Sequence, residues 1–259
     1  MAPERDPTLE TLRVLLSSRR DFLPLSRRFL QQRRAGGGPG PLSWFVRARR
    51  LRALNLYLFA HAIASSPPPT VGLASSVWAR ALGMSARPSS AVQISTNWSW
   101  IEEHRLVQSQ RLAGRRHVLL LNDDGSGRPY EHPSRPREGK PDYLKLPYAF
   151  WLDRWHTKLD LPATVVLLIG LSLGDPFLLP QDHAAAWYGI SRDTIGRGLR
   201  GLEAHGLLEH VEWHKRAPRA PHGVTSERYY TLLGPFASRL RRSRRPGGPE
   251  ATEAIPIPA

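Results

Sequence analysis

The 259-residue chain contains no cysteine, which excludes a disulfide framework, a zinc site built on thiolates and a cysteine nucleophile. It also lacks an apolar run long enough to cross a bilayer, and its acidic first residues do not resemble a signal peptide. Acidic residues are few, 22 against 37 lysines and arginines, which leaves a formal net charge of +15. We therefore expect a soluble, cytoplasmic protein with no membrane partner, whose excess positive charge suits an anionic partner.

The most informative stretch of the sequence runs from residue 185 to residue 208. Ala185 is a small residue four positions before Gly189, which suits the close approach of two helices across a turn. Glycine tolerates the positive φ of such a turn, and the hydroxyl of Ser191 can cap the helix that follows. Gly206 then ends that helix, and Leu207 begins an apolar run typical of a strand. This order predicts a winged helix-turn-helix.

The predicted second helix of this unit has one apolar face and one mostly cationic face. Ile195, Leu199 and Leu202 recur at helical spacing, so the face that they share is predicted to be buried. The opposite face carries Arg192, Asp193, Gly196, Arg197 and Arg200. Arginine suits bidentate contacts with phosphate and guanine, although a charged face of this kind can also be simply solvated.

A second copy of the same pattern lies upstream, in residues 77–85. Ala79 again stands four positions before a glycine, Gly83, and Ser85 follows at the equivalent of Ser191. Further along, the apolar positions 98, 101, 106 and 107 keep the register of positions 199, 202, 207 and 208. Because the spacing is preserved over two segments, the chain is predicted to hold two copies of one supersecondary unit.

Composition along the chain predicts five segments. Residues 1–43 form a basic extension of short amphipathic helices that ends in a glycine- and proline-rich linker. Residues 44–121 form the first winged-helix domain, beginning with a helix over 44–65 and ending in a hairpin around Ala113 and Gly114. A polar linker spans 122–142, the second winged-helix domain spans 143–237, and an arginine- and proline-rich tail, expected to be disordered, spans 238–259.

The downstream copy, in residues 187–208, resembles the winged-helix segment of GntR- and MarR-type bacterial regulators, in which a small-residue helix, a Gly-hydrophobic-Ser turn and an arginine-bearing helix end in Leu-x-x-x-Gly-Leu. The tandem layout also resembles that of plasmid replication initiators. The resemblance implies a mainly α fold with small β-wings, in two tandem winged helix-turn-helix domains that bind double-stranded DNA. The sequence departs from GntR proteins in the second wing, where residues 215–223 replace their glycine-rich segment.

The candidate DNA-binding residues lie on the two predicted recognition helices and the two wings. Glutamine and asparagine pair bidentately with adenine, so the polar face of the first helix is predicted to read bases; an ordinary polar surface or a dimer contact is the alternative. The first helix and wing contribute Ser89, Ser90, Gln93, Thr96, Asn97, Arg111, Arg115 and Arg116. The second helix and wing contribute Ser191, Arg192, Asp193, Gly196, Arg197, Arg200, Lys215, Arg216 and Arg219.

Two further sequence patterns match the residue spacing of known binding motifs, but each has a simpler interpretation. Residues 196–201 match Gly-x-Gly-x-x-Gly but lie inside a predicted helix, so we expect no dinucleotide cofactor and ascribe these glycines to close approach of the helix to DNA. The histidines at 205, 210, 214 and 222 have no thiolate or paired carboxylate beside them, so we expect no metal site. No catalytic set of side chains is apparent, and we expect that the protein is not an enzyme.

The leading functional prediction is a sequence-specific transcription regulator. A replication initiator of a plasmid or mobile element is the alternative, since such initiators also resemble two winged helices in tandem. An RNA-binding or nucleoprotein-architectural protein is a third possibility. A homodimer is compatible with the sequence, because two-fold symmetry is usual for helix-turn-helix proteins. The two basic extensions are predicted to increase nonspecific affinity rather than to select the sequence.

Overall fold

The computed structural model describes residues 6–17, 21–32, 38–64, 68–85, 87–133, 142–216 and 224–238. Over these residues the structure is mixed α/β, with helices dominant and the strands in three small sheets, so the predicted dominance of helix is confirmed. The predicted disordered tail lies outside the described residues, apart from Ser238.

The first half of the chain, through residue 120, contains five helices and four strands in the described residues. In chain order these are α1 Pro7–Leu15, β1 Phe22–Ser26, α2 Leu42–Arg47, α3 Leu51–Ile63, β2 Thr70–Gly72, α4 Ser75–Ala81, α5 Pro88–Glu103, β3 Val107–Leu112 and β4 Arg115–Leu120. The helix predicted over 44–65 is broken between α2 and α3, where Arg49 adopts a φ of 53°. A helix cannot continue through a left-handed residue, so α2 and α3 run in different directions.

The second half contains a matching set of elements. They are β5 Tyr143–Pro147, α6 Ala149–Leu152, α7 Trp155–Lys158, α8 Leu161–Leu173, β6 Phe177–Leu178, α9 Ala184–Tyr188, α10 Arg192–Ala204, β7 Leu208–Arg216 and β8 Val224–Leu232. Short 3-10 helices lie at Arg27–Phe29, Gln181–His183 and Gly234–Phe236. Asp160 caps α8 by accepting a hydrogen bond from the Ala163 N–H at 2.9 Å.

The two halves share one topology. In each, a buried helix precedes a short strand, a pair of helices and an antiparallel hairpin, and the short strand pairs with the last strand of the hairpin. The sheet orders are accordingly β2-β4-β3 and β6-β8-β7. The hairpins were expected from the sequence, whereas β2 and β6 were not, because strands of two or three residues are too short to show an alternating pattern.

A third sheet joins the halves. Strand β1 pairs antiparallel with β5, which places the central Pro24 opposite Lys145 and the leucines of one strand opposite those of the other. Both strands have the pattern aromatic-Leu-x-Leu, in Phe-Leu-Pro-Leu-Ser and Tyr-Leu-Lys-Leu-Pro. Equivalent strands that pair centre to centre in antiparallel register are related by a local two-fold axis. The pairing of β1 with β5 therefore has local two-fold symmetry.

The N-terminal segment is part of the core, which differs from the predicted extension over 1–43. Leu12 of α1 and Leu23 and Leu25 of β1 are almost fully buried, and α1 packs against α4 and α6. Arg154, which precedes α7, donates to the carboxylate of Asp6 at 2.6 Å. Residues 22–26 were predicted as part of an amphipathic helix, but their leucines pack against β5 instead. Helical propensity in this short segment is weaker than the burial gained by pairing.

Candidate nucleic-acid interface

The first helix pair, α4 and α5, is held together by aromatic packing at its core. The indole rings of Trp78 and Trp98 are in edge contact at 5.2 Å, and Trp78 also contacts Phe59 of α3. Gly83 takes the turn between the helices with a φ of 67°, as its position predicted. Ile94, Trp98 and Ile101 are buried, so the predicted core face of α5 is confirmed.

The structure corrects two of the five predicted base readers on α5. Ser90 and Asn97 are only 5% and 8% exposed, so the expectation that they face outward is wrong. The reason is helical geometry, because both lie three or four residues from Ile94 and share its face. The Ser90 hydroxyl donates to the Ser85 carbonyl at 2.7 Å and braces the turn. The prediction placed these two residues on the surface because they are polar. Their helical spacing from Ile94 instead directs them to the core.

The exposed face of α5 is formed by other residues. Ser89, Val92, Thr96 and Ser99 are exposed at helical spacing, and Gln93 is half-buried beside them. The hydroxyls of Thr96 and Ser99 donate to carbonyls one turn earlier, at 3.0 and 3.1 Å. These bonds occupy the hydroxyl protons of Thr96 and Ser99, and Val92 adds an apolar side chain that is 65% exposed. From Ser89 to Ser99 this exposed stripe carries no charged side chain, and its methyl groups suit contact with thymine methyl groups; the charged Glu103 follows one turn later.

A basic segment missed by the sequence interpretation lies beside this face. Four arginines, Arg47, Arg49, Arg50 and Arg52, occur within six positions at the junction of α2 and α3. We call this segment the arginine junction. Arg52 donates from its Nη1 to the Gln93 Oε1 at 2.7 Å, which ties the junction to α5. Arg50 lies over the Trp100 ring at 5.6 Å. The local density of arginine was the signal that could have identified it.

The first wing is the hairpin of β3 and β4. Ala113 and Gly114, with φ values of 48° and 74°, form its two-residue turn, as predicted. Arg111 and Arg115 are exposed near the tip, where they can reach a ligand. Arg116 is less free than expected, because it is half-buried and its guanidinium lies 3.5 Å from the Ser95 Oγ and 3.9 Å from the Glu102 carboxylate. It braces the wing against α5.

The second helix pair has the predicted cap and turn. Gly189 has a φ of 65°, and the Ser191 hydroxyl accepts from the Thr194 N–H at 3.3 Å at the start of α10. Ile195, Leu199 and Leu202 are buried, whereas Arg192, Asp193, Arg197 and Arg200 are exposed. Arg197 forms an ion pair with Asp193 at 3.1 Å, one turn earlier. The exposed face of α10 is therefore cationic, as predicted, although Asp193 partly neutralises one of its arginines.

The glycines of α10 do not lie on its exposed face. Gly196 and Gly198 are buried, so the assignment of Gly196 to the DNA-contacting face is wrong. A Cβ on Gly198 would lie 2.3 Å from the Pro162 carbonyl oxygen and 2.5 Å from Val166, both on α8. A Cβ on Gly201 would lie 3.2 Å from Ala163. Gly198 and Gly201 thus allow α10 to pack closely on α8, which replaces the predicted approach to DNA.

The second wing is longer than predicted, since β7 and β8 extend to Arg216 and from Val224. Lys215 and Arg216 lie at its distal end, and Arg219 and His222 lie outside the described residues. Trp213 and Tyr229 are in ring contact at 6.3 Å on one face of the hairpin. His210 is 2.8 Å from the Glu203 carboxylate. Within the described ranges, no group of three metal-binding side chains is found.

A buried polar cluster connects the end of β1, helix α3 and the segment that follows β4. The Asp123 carboxylate accepts from the Ser26 N–H at 2.9 Å and from the Tyr57 hydroxyl at 3.1 Å, and the His61 Nε2 lies 3.5 Å away. Burial raises the pKa of Asp123 from 3.8 to about 7 and lowers the pKa of His61 to about 3. His61 is therefore neutral above about pH 3 and Asp123 is protonated below about pH 7, so burial favours the uncharged form of each group.

No protein-family model matches the chain, and no curated protein matches it. None of the helices that the structure describes has the length and apolar character needed to cross a membrane.

Proposed function

We propose that the chain binds double-stranded DNA in a sequence-specific manner through two tandem winged helix-turn-helix domains. The observation that carries the proposal is the repeated topology, with a buried helix, a short strand, two helices and a hairpin in each half and one sheet order in both. In this fold the second helix of the pair enters the major groove and the hairpin lies beside it as a wing. Helices α5 and α10 take that role here.

The exposed surfaces of these elements support the proposal. Arg197 and Arg200 project from α10, and Arg111 and Arg115 project from the tip of the first wing. Each arginine can neutralise a phosphate or donate two hydrogen bonds to guanine. The formal net charge of +15 is consistent with a polyanionic partner.

The leading biological role is that of a transcription regulator. One observation favours the alternative, a replication initiator of a plasmid or mobile element: the pairing of β1 with β5 gives a single chain the local two-fold relation that one-domain regulators obtain by dimerising. A single chain can therefore bind a DNA site that consists of two half-sites. Mapping the bound sites separates the roles, because a regulator occupies promoters, whereas an initiator occupies directly repeated sites beside an AT-rich stretch.

The proposal is tested by selecting bound duplexes from a random library and titrating the selected site with salt. If the chain makes about six to ten phosphate contacts, its affinity should fall roughly 10³- to 10⁵-fold between 50 and 200 mM salt. The single variants Arg197→Met and Arg200→Met should each weaken binding to the selected site, whereas Arg13→Met, at an exposed position of α1, removes one charge and should lower at most the nonspecific affinity. Failure to retain any duplex, or a flat response to salt, would contradict the proposal.

Asn97 provides a second test of the interface. Because Asn97 is buried on the core face of α5, Asn97→Ala should leave the selected sequence unchanged, while Ser89 and Val92 remain at the exposed face. A selection with this variant measures base preference directly. A changed preference at one position would show that Asn97 does reach the DNA.

A further inference from the structure

We infer that Arg52 and Gln93 together form a reader of one guanine at the major-groove edge, an inference that rests on the proposed DNA binding. Their side chains come from different helices, since Arg52 lies in the first turn of α3 and Gln93 lies in the second turn of α5. The Arg52 Nη1 and the Gln93 Oε1 are 2.7 Å apart. This pair, and not the polarity of α5 alone, determines which base the helix accepts.

The chemistry of the pair fixes the orientation of the glutamine amide. A guanidinium has only donors, so the group that faces Arg52 must be the carbonyl oxygen of Gln93. The Gln93 Nε2 consequently points away from Arg52 and makes no hydrogen bond to another described residue. The groups left to a ligand are this amide nitrogen and the remaining N–H groups of the guanidinium, all of which are donors.

A surface with donors alone discriminates between the bases. In the major groove guanine presents two acceptors, N7 and O6, whereas adenine presents one acceptor and one donor. A free glutamine would pair bidentately with adenine, because its amide supplies one donor and one acceptor. With its oxygen bonded to Arg52, Gln93 can no longer accept from the adenine N6 amino group. The pair therefore matches guanine and disfavours adenine.

The position of Arg52 is not explained by the stability of α3. Positions 53 to 62 of this helix are buried, and Arg52 is its one exposed residue. It lies in the first turn, where the helix dipole disfavours a cation. It also stands beside the exposed face of α5 that contains Ser89, Val92 and Thr96. The charge of Arg52 is thus unfavourable for the dipole of α3, and its guanidinium is bonded to Gln93 beside the exposed face of α5. Both features are consistent with a role of Arg52 in binding.

The inference is tested by base selection with the wild-type chain, Arg52→Met and Gln93→Met. The wild type should require guanine at one position of its site. Arg52→Met should change that preference to adenine by releasing the amide, and Gln93→Met should weaken the preference for guanine without introducing adenine. The expected change in the ratio of the two bases is roughly 5- to 150-fold, the range for one bidentate contact. Arg47→Met, an exposed arginine of the same junction, should retain guanine.

A modified base gives a test that needs no variant. Replacement of the selected guanine by 7-deazaguanine removes the N7 acceptor and should weaken wild-type binding by about the same factor. Wild-type chain that binds no duplex would overturn the proposed function, whereas specific binding with guanine retained in Arg52→Met would overturn this inference alone. If Arg52→Met fails to fold by circular dichroism, unchanged binding of wild type to 7-deazaguanine is the overturning result.

Discussion

Two glycines of α10, two residues apart, should respond in opposite directions to the same substitution. A Cβ on Gly198 would overlap the Pro162 carbonyl oxygen, at 2.3 Å, and Val166, at 2.5 Å. A Cβ on Gly196 would lie 3.6 Å from the nearest atoms, on Arg200 and Gln181, which is an ordinary contact distance. Both glycines are within the helix, and neither has a positive φ. Comparing alanine substitutions at the two positions therefore separates the effect of helix propensity on stability from the effect of helix packing.

The magnitudes follow from these contacts. Alanine in place of glycine inside a helix stabilises it by roughly 0.5 to 1 kcal/mol, and Gly196→Ala should raise the free energy of unfolding by about that amount. Gly198→Ala has the same propensity gain but must displace α8, whose contact atom is backbone and cannot rotate away. Overpacking of this kind costs about 1 to 3 kcal/mol, and more where backbone is the contact atom, so the net effect should be a loss of up to roughly 2.5 kcal/mol.

The measurement is urea denaturation of the wild type and both variants, followed by circular dichroism and by tryptophan fluorescence. Each variant is the control for the other, because both add one methyl group to one helix. A Gly198→Ala variant as stable as Gly196→Ala would refute the close approach of α8 and α10. Equal m-values are required for the comparison, since a change in slope would signal a change in the unfolded state.

Two further predictions concern the N-terminal strand and the buried carboxyl. Leu25→Ala should lower the free energy of unfolding by about 2 to 5 kcal/mol, whereas Val14→Ala, 67% exposed on α1, should change it by less than about 0.5 kcal/mol; equal effects in a denaturation assay would argue against the packing of β1 in the core. Because burial raises the pKa of Asp123 from 3.8 to about 7, the folded protein holds this proton more tightly, and the associated stability is lost as pH rises through that window. Relative to Asp123→Asn, the wild type should lose roughly 2 to 3 kcal/mol between pH 5 and pH 8, and a constant difference would contradict the neutral carboxyl.

Local signals in the sequence predicted the local structure well. The turn at Gly189, the cap at Ser191 and the hairpin turn at Ala113 and Gly114 each depend on a few adjacent residues, and each was placed correctly. Their success has a physical reason, since positive φ values and caps restrict the residue types that a position accepts. The order of helices and hairpins in both halves followed from these signals.

Long-range pairing was missed because its signal is distributed over the chain. Strands β1 and β5 are more than a hundred residues apart, and Pro24 lowers the strand propensity of β1. The shared pattern aromatic-Leu-x-Leu was visible in the sequence, but it predicts pairing only when the two strands are already regarded as copies of one unit.

The arginine junction was missed for a related reason: the contact of Arg52 with Gln93 depends on how α3 packs against α5.

The two halves share a topology but not a surface, and this difference bears on the kind of site that the chain would bind. The exposed face of α5 carries no charged side chain from Ser89 to Ser99 and has Arg52 and Gln93 at its edge, whereas α10 presents a cationic face. In a homodimer the two helices would be identical and would require a palindrome. In a chain with two unlike helices, related only locally by the β1 and β5 pair, the half-elements should differ in sequence. A bound site without a palindrome would then fix the direction in which the protein lies on DNA, because exchanging the halves would place each helix on the wrong bases.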